Sequence, residues 1–282
     1  MKSTPVTTGI HVPRTDDQRA HFCKIPNAFL RSAVFAVIGK GQRAILSEAQ
    51  INGQAGTGLM YTGEQLDQRD LDLWGPLVDL LYQKPGIPEY TTSWYALLRI
   101  LGITDTGPNR NNLKNRLQRL SSCKLSVDNP WCKFTGSLIR VSYVDGNNSL
   151  SLRLAPRINE LFESKHYTKI HWDLRSSLSG NPLAQWLHGY YSTHAKPHPV
   201  RIETLKKMSG SNTRSLGKFR QLLSKALEKL ATASAEHGQK FTYQIDGELV
   251  RVDKRPSPSQ QRHLSKRQNR TVTAGKPYRH SG

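Results

Sequence analysis

Two Asp-Gly pairs, Asp145-Gly146 and Asp246-Gly247, each lie between short runs of alternating apolar residues, and two helical segments precede each pair. Asp-Gly in that setting is the strongest short-range signal for a tight β-hairpin. The order helix, helix, hairpin therefore occurs twice, which restricts the chain to small α+β modules. Identity between the halves is too low to mark a repeat, so the duplication is read from element order. The first module opens with a short helix at 29–35 and strand-like runs at 43–52 and 58–62. A long amphipathic helix over 67–83 carries Leu71, Trp74, Val78 and Leu81 at helical spacing, with Gly75-Pro76 predicting a kink or a break. Helices at 92–101 and 109–122 follow, then strands at 125–134, 137–144 and 150–154. The second module reads as a strand at 167–172, a helix at 182–193, a break at Pro197-His198-Pro199, helices at 202–208 and 213–231, and strands at 240–245 and 248–252.

Four segments follow: a flexible arm (1–26), a first domain (27–163), a second domain (164–253) and a basic tail (254–282). The tail holds eight Lys/Arg, no Asp or Glu and little apolar material, so it is expected to stay disordered and to touch phosphates without reading bases. It supplies 8 of the 20 net positive charges, so the remainder is basic as well. In a chain with no apolar run long enough to span a membrane and no signal peptide, that charge points to nucleic acid. Three cysteines without a C-x-x-C pair fit a reducing cytoplasm.

Helix, helix, hairpin is the order of a winged helix, whose last helix before the hairpin enters the major groove. Each such helix has two faces. With Leu216 at 0° and about 100° per residue, Phe219, Leu223, Ala226, Leu227 and Leu230 gather within about 80°. Arg214, Lys218, Gln221 and Lys225 lie opposite, at about 140–200°. Ser211 or Thr213 is the expected N-cap. On 109–122, Leu113, Leu117 and Leu120 make the apolar stripe. Asn111, Asn115, Gln118 and Ser122 oppose it, with Lys114 and Arg119 at the shoulders. Asn and Gln pair bidentately with adenine, and Lys and Arg with guanine or phosphate. An ordinary solvated helix face would show the same residues.

Enzyme signatures are missing. Gly39-Lys40-Gly41-Gln42 lacks phosphate-loop spacing, so no nucleotide cofactor is expected. The glycines of 53–58 read as a turn. Pro197 separates His194 from His198, so no metal site is expected. No Ser-His-Asp or H-E-x-x-H pattern occurs.

Several ordered segments resemble a known family. Residues 26–35 (Pro-Asn-Ala-Phe-Leu-Arg-Ser-Ala-Val-Phe), 61–66 (Tyr-Thr-Gly-Glu-Gln-Leu) and 166–172 (His-Tyr-Thr-Lys-Ile-His-Trp) are similar to TrfA-family plasmid replication initiators. So are Tyr191-Ser192-Thr193-His194, Glu203-Thr204-Leu205 and Met208-Ser209-Gly210-Ser211. The resemblance spans about 26–252. It implies two winged-helix domains that bind tandem iterons, open an adjacent AT-rich element as single strands, and help recruit the host replicative helicase and initiator ATPase. It further implies a monomer–dimer equilibrium, and it carries DNA contact onto Arg214, Lys218 and Arg220. A sliding-clamp peptide in the family corresponds here to Gln18–Phe22, with Gln18 and Phe22 kept and both leucines absent. A helix-turn-helix repressor, or a relaxase or nuclease using a tyrosine, remain the alternatives.

Overall fold

The computed structural model describes residues 21–39, 43–82, 89–144, 149–163 and 166–274. The described residues open with β1 (Phe22–Pro26) and the single turn α1 (Asn27–Leu30), followed by β2 (Ile45–Gln50) and β3 (Gly58–Glu64). Then come α2 (Gln68–Tyr82), β4 (Tyr90–Ser93), α3 (Trp94–Ile100) and α4 (Gly107–Ser122). Four strands, β5 (Lys124–Asn129), β6 (Cys132–Gly136), β7 (Ile139–Val144) and β8 (Ser149–Leu154), and the turn α5 (Glu160–Glu163) complete this half. The second half holds β9 (Tyr167–His171), α6 (Trp172–Ser177), α7 (Pro182–Ser192), β10 (Val200–Arg201) and α8 (Ile202–Met208). It ends with α9 (Leu216–Glu236), β11 (Phe241–Asp246), β12 (Leu249–Lys254) and α10 (Pro258–Ala274).

One topology occurs twice. In the first half α2, β4, α3, α4, β7 and β8 follow one another, and the sheet order is β4-β8-β7. In the second, α7, β10, α8, α9, β11 and β12 give β10-β12-β11. Each time a short strand between the first two helices pairs with the last strand of the hairpin. The first half adds an insertion: β5 and β6 stand between α4 and β7 and join the four-stranded sheet β2-β3-β5-β6.

Four expectations change. The arm ends before β1, which is a full antiparallel partner of β9, from Phe22↔His171 to Pro26↔Tyr167. Cys23 and Ile25 are buried while Phe22 and Lys24 face out, a period of two too short to stand out in sequence. The expected helix at 29–35 stops at Leu30, because later backbone donors go to distant partners. Ala33 N–H donates to Asn52 O, Ala36 N–H to Leu66 O and Val37 N–H to Ser209 O. The stretch therefore runs between the halves, where Gly210, at φ +62°, leaves room for Ala33. A Cβ there would lie 2.7 Å from that of Ala33. Of the kink or break expected at Gly75-Pro76, the break does not occur, and α2 continues through Pro76 as one helix. The glycine before the proline admits Trp172, whose ring would stand 2.6 Å from a Cβ on Gly75. The tail, finally, starts as a helix. Ser257 Oγ accepts from Gln260 N–H (3.3 Å), Pro258 takes the first turn, and Gln260 Nε2 donates to Ser192 O (2.9 Å). The Asp145-Gly146 hairpin turn lies outside the described residues, whereas Gly247 has the positive φ that its turn requires. Among the described residues no helix is long and apolar enough to cross a membrane.

Buried apolar residues form two clusters, one from Cys23 to Ile170 and one joining Val37 to residues between Leu174 and Val252. Between them lies Arg175, 1% exposed. Its Nε donates to Asp72 Oδ1 (2.8 Å), Nη2 to Gln68 O and Oε1 (3.1 and 3.0 Å), and Nη1 to Gln185 O (3.3 Å). Gln185 Nε2 donates to Asp72 as well, at 3.0 Å. Removing the guanidinium leaves Asp72, 31% exposed, without its cation and the oxygens of Gln68 and Gln185 without their donor. Arg175→Met is therefore expected to lose about 1–3 kcal/mol of unfolding free energy, measured by urea titration. A loss under about 1 kcal/mol would mean the guanidinium merely fills space.

His188 on α7 is buried, and its Nδ1 has no hydrogen-bond partner among the described residues. Burial, with repulsion from Arg175, His171, His237 and Lys254, holds its pKa down at about 3. The folded state therefore binds this proton less readily than the unfolded chain. The group's stabilisation is complete above about pH 6.5 and is lost as pH falls toward 3, by up to about 1.4 kcal/mol per pH unit. Melting curves of the parent and of His188→Phe between pH 7 and 4 should diverge, the variant losing less. Parallel curves would assign the acid sensitivity to other groups.

Candidate nucleic-acid interface

The second-half surface is built on α9. Ser215 caps it, its Oγ accepting from Lys218 N–H at 3.1 Å, four residues later than the expected Ser211 and two later than Thr213. Ser211 is engaged instead with Thr213, through Oγ1 (3.0 Å) and N–H (3.4 Å), which keeps 212–214 out of the helix. Two consequences follow. Leu216, taken as the centre of the apolar stripe, is the first helical residue and 37% exposed. Arg214 lies before the cap rather than one turn from Lys218 on the helix; it is exposed, and its carbonyl accepts from Lys206 Nζ (3.3 Å). The apolar stripe itself is Phe219, Leu223, Ala226, Leu227 and Leu230, all buried.

Opposite that stripe, Lys218, Gln221 and Lys225 are exposed, Lys218 Nζ touching Gln221 Oε1 at 3.5 Å. Arg220 points sideways to the hairpin and pairs with Glu248 (3.2 Å), which reduces its free charge. Leu222, 41% exposed, sits among these cations and was not singled out from sequence. An apolar side chain on such a face suits the methyl group of thymine.

In the first half, Thr106 caps α4 and Pro108 fills its first turn. Asn111, Lys114, Asn115 and Gln118 are exposed, whereas Leu113, Leu117 and Leu120 are buried. Ser122 is exposed at the helix end. The Lys114 ammonium stands 5.8 Å from the centre of the Tyr143 ring, which stacks on Trp94 (6.2 Å). Tyr143 lies on β7 and is 44% exposed, so the hairpin contributes an aromatic surface beside the amide face. Tyr143 has the parity of Ile139 and Val141, which turn inward, so the alternation of 139–144 gave no sign of its exposure.

Arg119 is not part of this surface. Its side chain is 11% exposed and pairs with Asp70, Nη2 to Oδ1 at 2.9 Å, while Arg43 approaches the same carboxylate at 3.2 Å. Burial pushes the Asp70 carboxyl up, and the two guanidinium groups pull it back. Gln18 lies outside the described residues, and Phe22 is half exposed on β1, its ring edge-on to His171 at 5.0 Å. His194 spends its Nδ1 on Tyr190 O (2.9 Å) and Thr193 Oγ1 (3.0 Å), at the end of its own helix.

Comparison with known proteins places the chain. A family model described as TrfA protein matches residues 11–238, well over half the length. The chain belongs to the TrfA family. It is 27% identical over 227 residues to the plasmid replication initiator protein TrfA of Escherichia coli, an alignment covering 77% of this chain and 58% of that protein. This TrfA-family chain thus spans less than two thirds of that relative. Its fold is similar to the crystal structure of domains 2 and 3 of RctB, solved as a selenomethionine derivative. The TM-score is 0.56 at 12% identity, over 82% of this chain and 98% of that one. The family match ends before β11, β12 and α10.

Arg119→Ala should lower stability by about 2–4 kcal/mol, because Asp70 loses its closest cation. Lys114→Ala should change it by less than about 0.5 kcal/mol. Denaturant titrations of the two variants check this. Equal, small effects would return Arg119 to the surface set.

Proposed function

We propose that this TrfA-family chain is a plasmid replication initiator that recognises repeated duplex sites at an origin through two winged-helix domains. The observation that carries the reading is the repeated topology together with what its third helices expose. In both halves that helix buries one apolar stripe and turns a polar face outward: amides on α4, cations on α9. A recognition helix has this distribution, with base-edge contacts near its N-terminus and the hairpin as the wing. Family membership and the fold likeness to RctB domains support it.

On this reading the duplex lies along the first two turns of α9, where Lys218 and Gln221 stand, with Lys225 on a flanking phosphate. Arg214, ahead of the cap, meets the backbone beside the helix N-terminus, where phosphate is favoured. Asn111, Asn115 and Gln118 of α4 select adenine in the other half of the site. Arg220, held by Glu248, positions the wing. The protein performs no covalent chemistry. Strand separation draws on binding energy and on the deformability of an AT-rich element. Helicase, initiator ATPase and sliding-clamp contacts, and a monomer–dimer equilibrium, belong to the same proposal.

Direct repeats spaced by about two helical turns beside the gene are the expected target. Lys218→Ala should bind them about 10–100-fold more weakly, a loss of about 1–3 kcal/mol, with its affinity for random duplex falling much less. Lys225→Ala should weaken both equally. Leu223→Ala, on the apolar stripe, is the folding control and should cost about 2–5 kcal/mol of stability. Footprinting and titration at two salt concentrations decide the matter. If Lys218→Ala footprints like the parent, α9 is not the reading element.

A further inference from the structure

We infer that α10 carries a second contact for nucleic-acid backbone, separate from the stretch met by α9. The inference rests on the reading of α9 as the helix that meets DNA. From Lys254 onward the chain holds no Asp or Glu. Two half-buried residues one turn apart, Gln260 and Leu264, face the body of the second half. Gln260 fixes the helix there, with Nε2 on Ser192 O (2.9 Å) and Oε1 accepting from Lys254 Nζ (3.2 Å). Arg262 and Lys266 lie on the opposite side of α10, and both are exposed, as is Arg255 just ahead of the helix. None of the three takes part in an ion pair among the described residues; Arg262 Nε reaches only Pro258 O (3.3 Å). Two uncompensated cations on a docked helix, with a third just ahead of it, attract a polyanion.

The position of α10 separates it from the α9 site. The wing turn, at Asp246 and Gly247, lies beside the first turns of α9, as the Arg220–Glu248 pair at 3.2 Å records. The other end of the hairpin, where Phe241 pairs with Lys254, packs on the end of α7, with Tyr191 and Phe241 ring centres 5.8 Å apart. That end is where α10 starts. Six residues of β12 span about 20 Å, so α10 leaves from the far side of the hairpin. A duplex seated on α9 and the wing turn leaves these cations to a different stretch of phosphates. Nucleic acid is preferred over an acidic protein because, among the described side chains of α10, no exposed large apolar residue stands beside Arg262 and Lys266 to anchor a protein partner.

Sedimentation of the full chain with a labelled random-sequence duplex of about 16 base pairs at low salt, where phosphate contacts are strongest, tests this. The parent should take two duplexes per chain, and Arg255→Ala/Arg262→Ala/Lys266→Ala should take one with an unchanged melting curve. Arg214→Ala/Lys225→Ala, which removes the phosphate contacts assigned to the α9 site, should also fall to one. A parent that stops at one duplex, or a triple variant that still holds two, would overturn the proposal. If the Arg214/Lys225 variant keeps two duplexes while the triple variant keeps one, the α9 reading fails and the α10 contact stands.

Discussion

The guanidinium of Arg175 sits where α2, α6 and α7 converge, and the relation between the two halves rests on it. Water is excluded there, so its charge is tolerable only because Asp72 and the oxygens of Gln68 and Gln185 surround it. Two of those residues, Gln68 and Asp72, belong to the first helix of one repeated unit, and Gln185 belongs to the first helix of the other. Gln68 also donates to Phe35 O (2.5 Å), which extends the network into the stretch running between the halves. A purely apolar junction would allow several packings of similar energy. A hydrogen-bonded fork with five donors in fixed directions narrows them. Packing reinforces this, since the Trp172 ring seats over Gly75 and the Arg175 guanidinium lies 5.5 Å from that ring's centre.

Much of this arrangement was legible in the chain, for identifiable reasons. The helices α4, α7 and α9 announce themselves through apolar residues at three- and four-residue spacing, and the second hairpin through Asp246-Gly247. What sequence hid were relations between distant residues. Arg119 and Lys114 look alike on a helical wheel, and only the fold brings Asp70, 49 residues earlier, against one of them. The backbone of 31–38 has helical composition nearby but finds its partners at Asn52, Leu66 and Ser209. The tail misled through its composition, although its Ser257-Pro258 start was a local helix signal that charge counting overrode. At the α9 surface the exposed face was read correctly for Lys218, Gln221 and Lys225. The cap was placed too early, which moved Arg214 off the helix.

The two outward faces differ in chemistry, and on the proposed reading they divide the labour of recognition. The amides of α4 form directional, uncharged hydrogen bonds that depend weakly on salt, whereas the lysines of α9 release counterions when they bind. Rising ionic strength therefore weakens the second half's grip before the first's. The Tyr143 ring beside Lys114 adds a contact that can lie against a sugar or a base without a counterion.

The pairing of β1 with β9 sets an order of events during synthesis. Pro26 leaves the ribosome long before Tyr167, its partner in the ladder. At about 5–20 residues per second the delay is roughly 7–30 s. Through that interval β1 carries unpaired backbone groups and the apolar side chains of Cys23 and Ile25, which the finished fold hides completely. Much of the first half's apolar cluster can gather as the ribosome advances, but its closing strand cannot. The nascent chain therefore exposes a free strand edge until Tyr167 has been made. A second nascent chain on the same message is the nearest competitor for that edge.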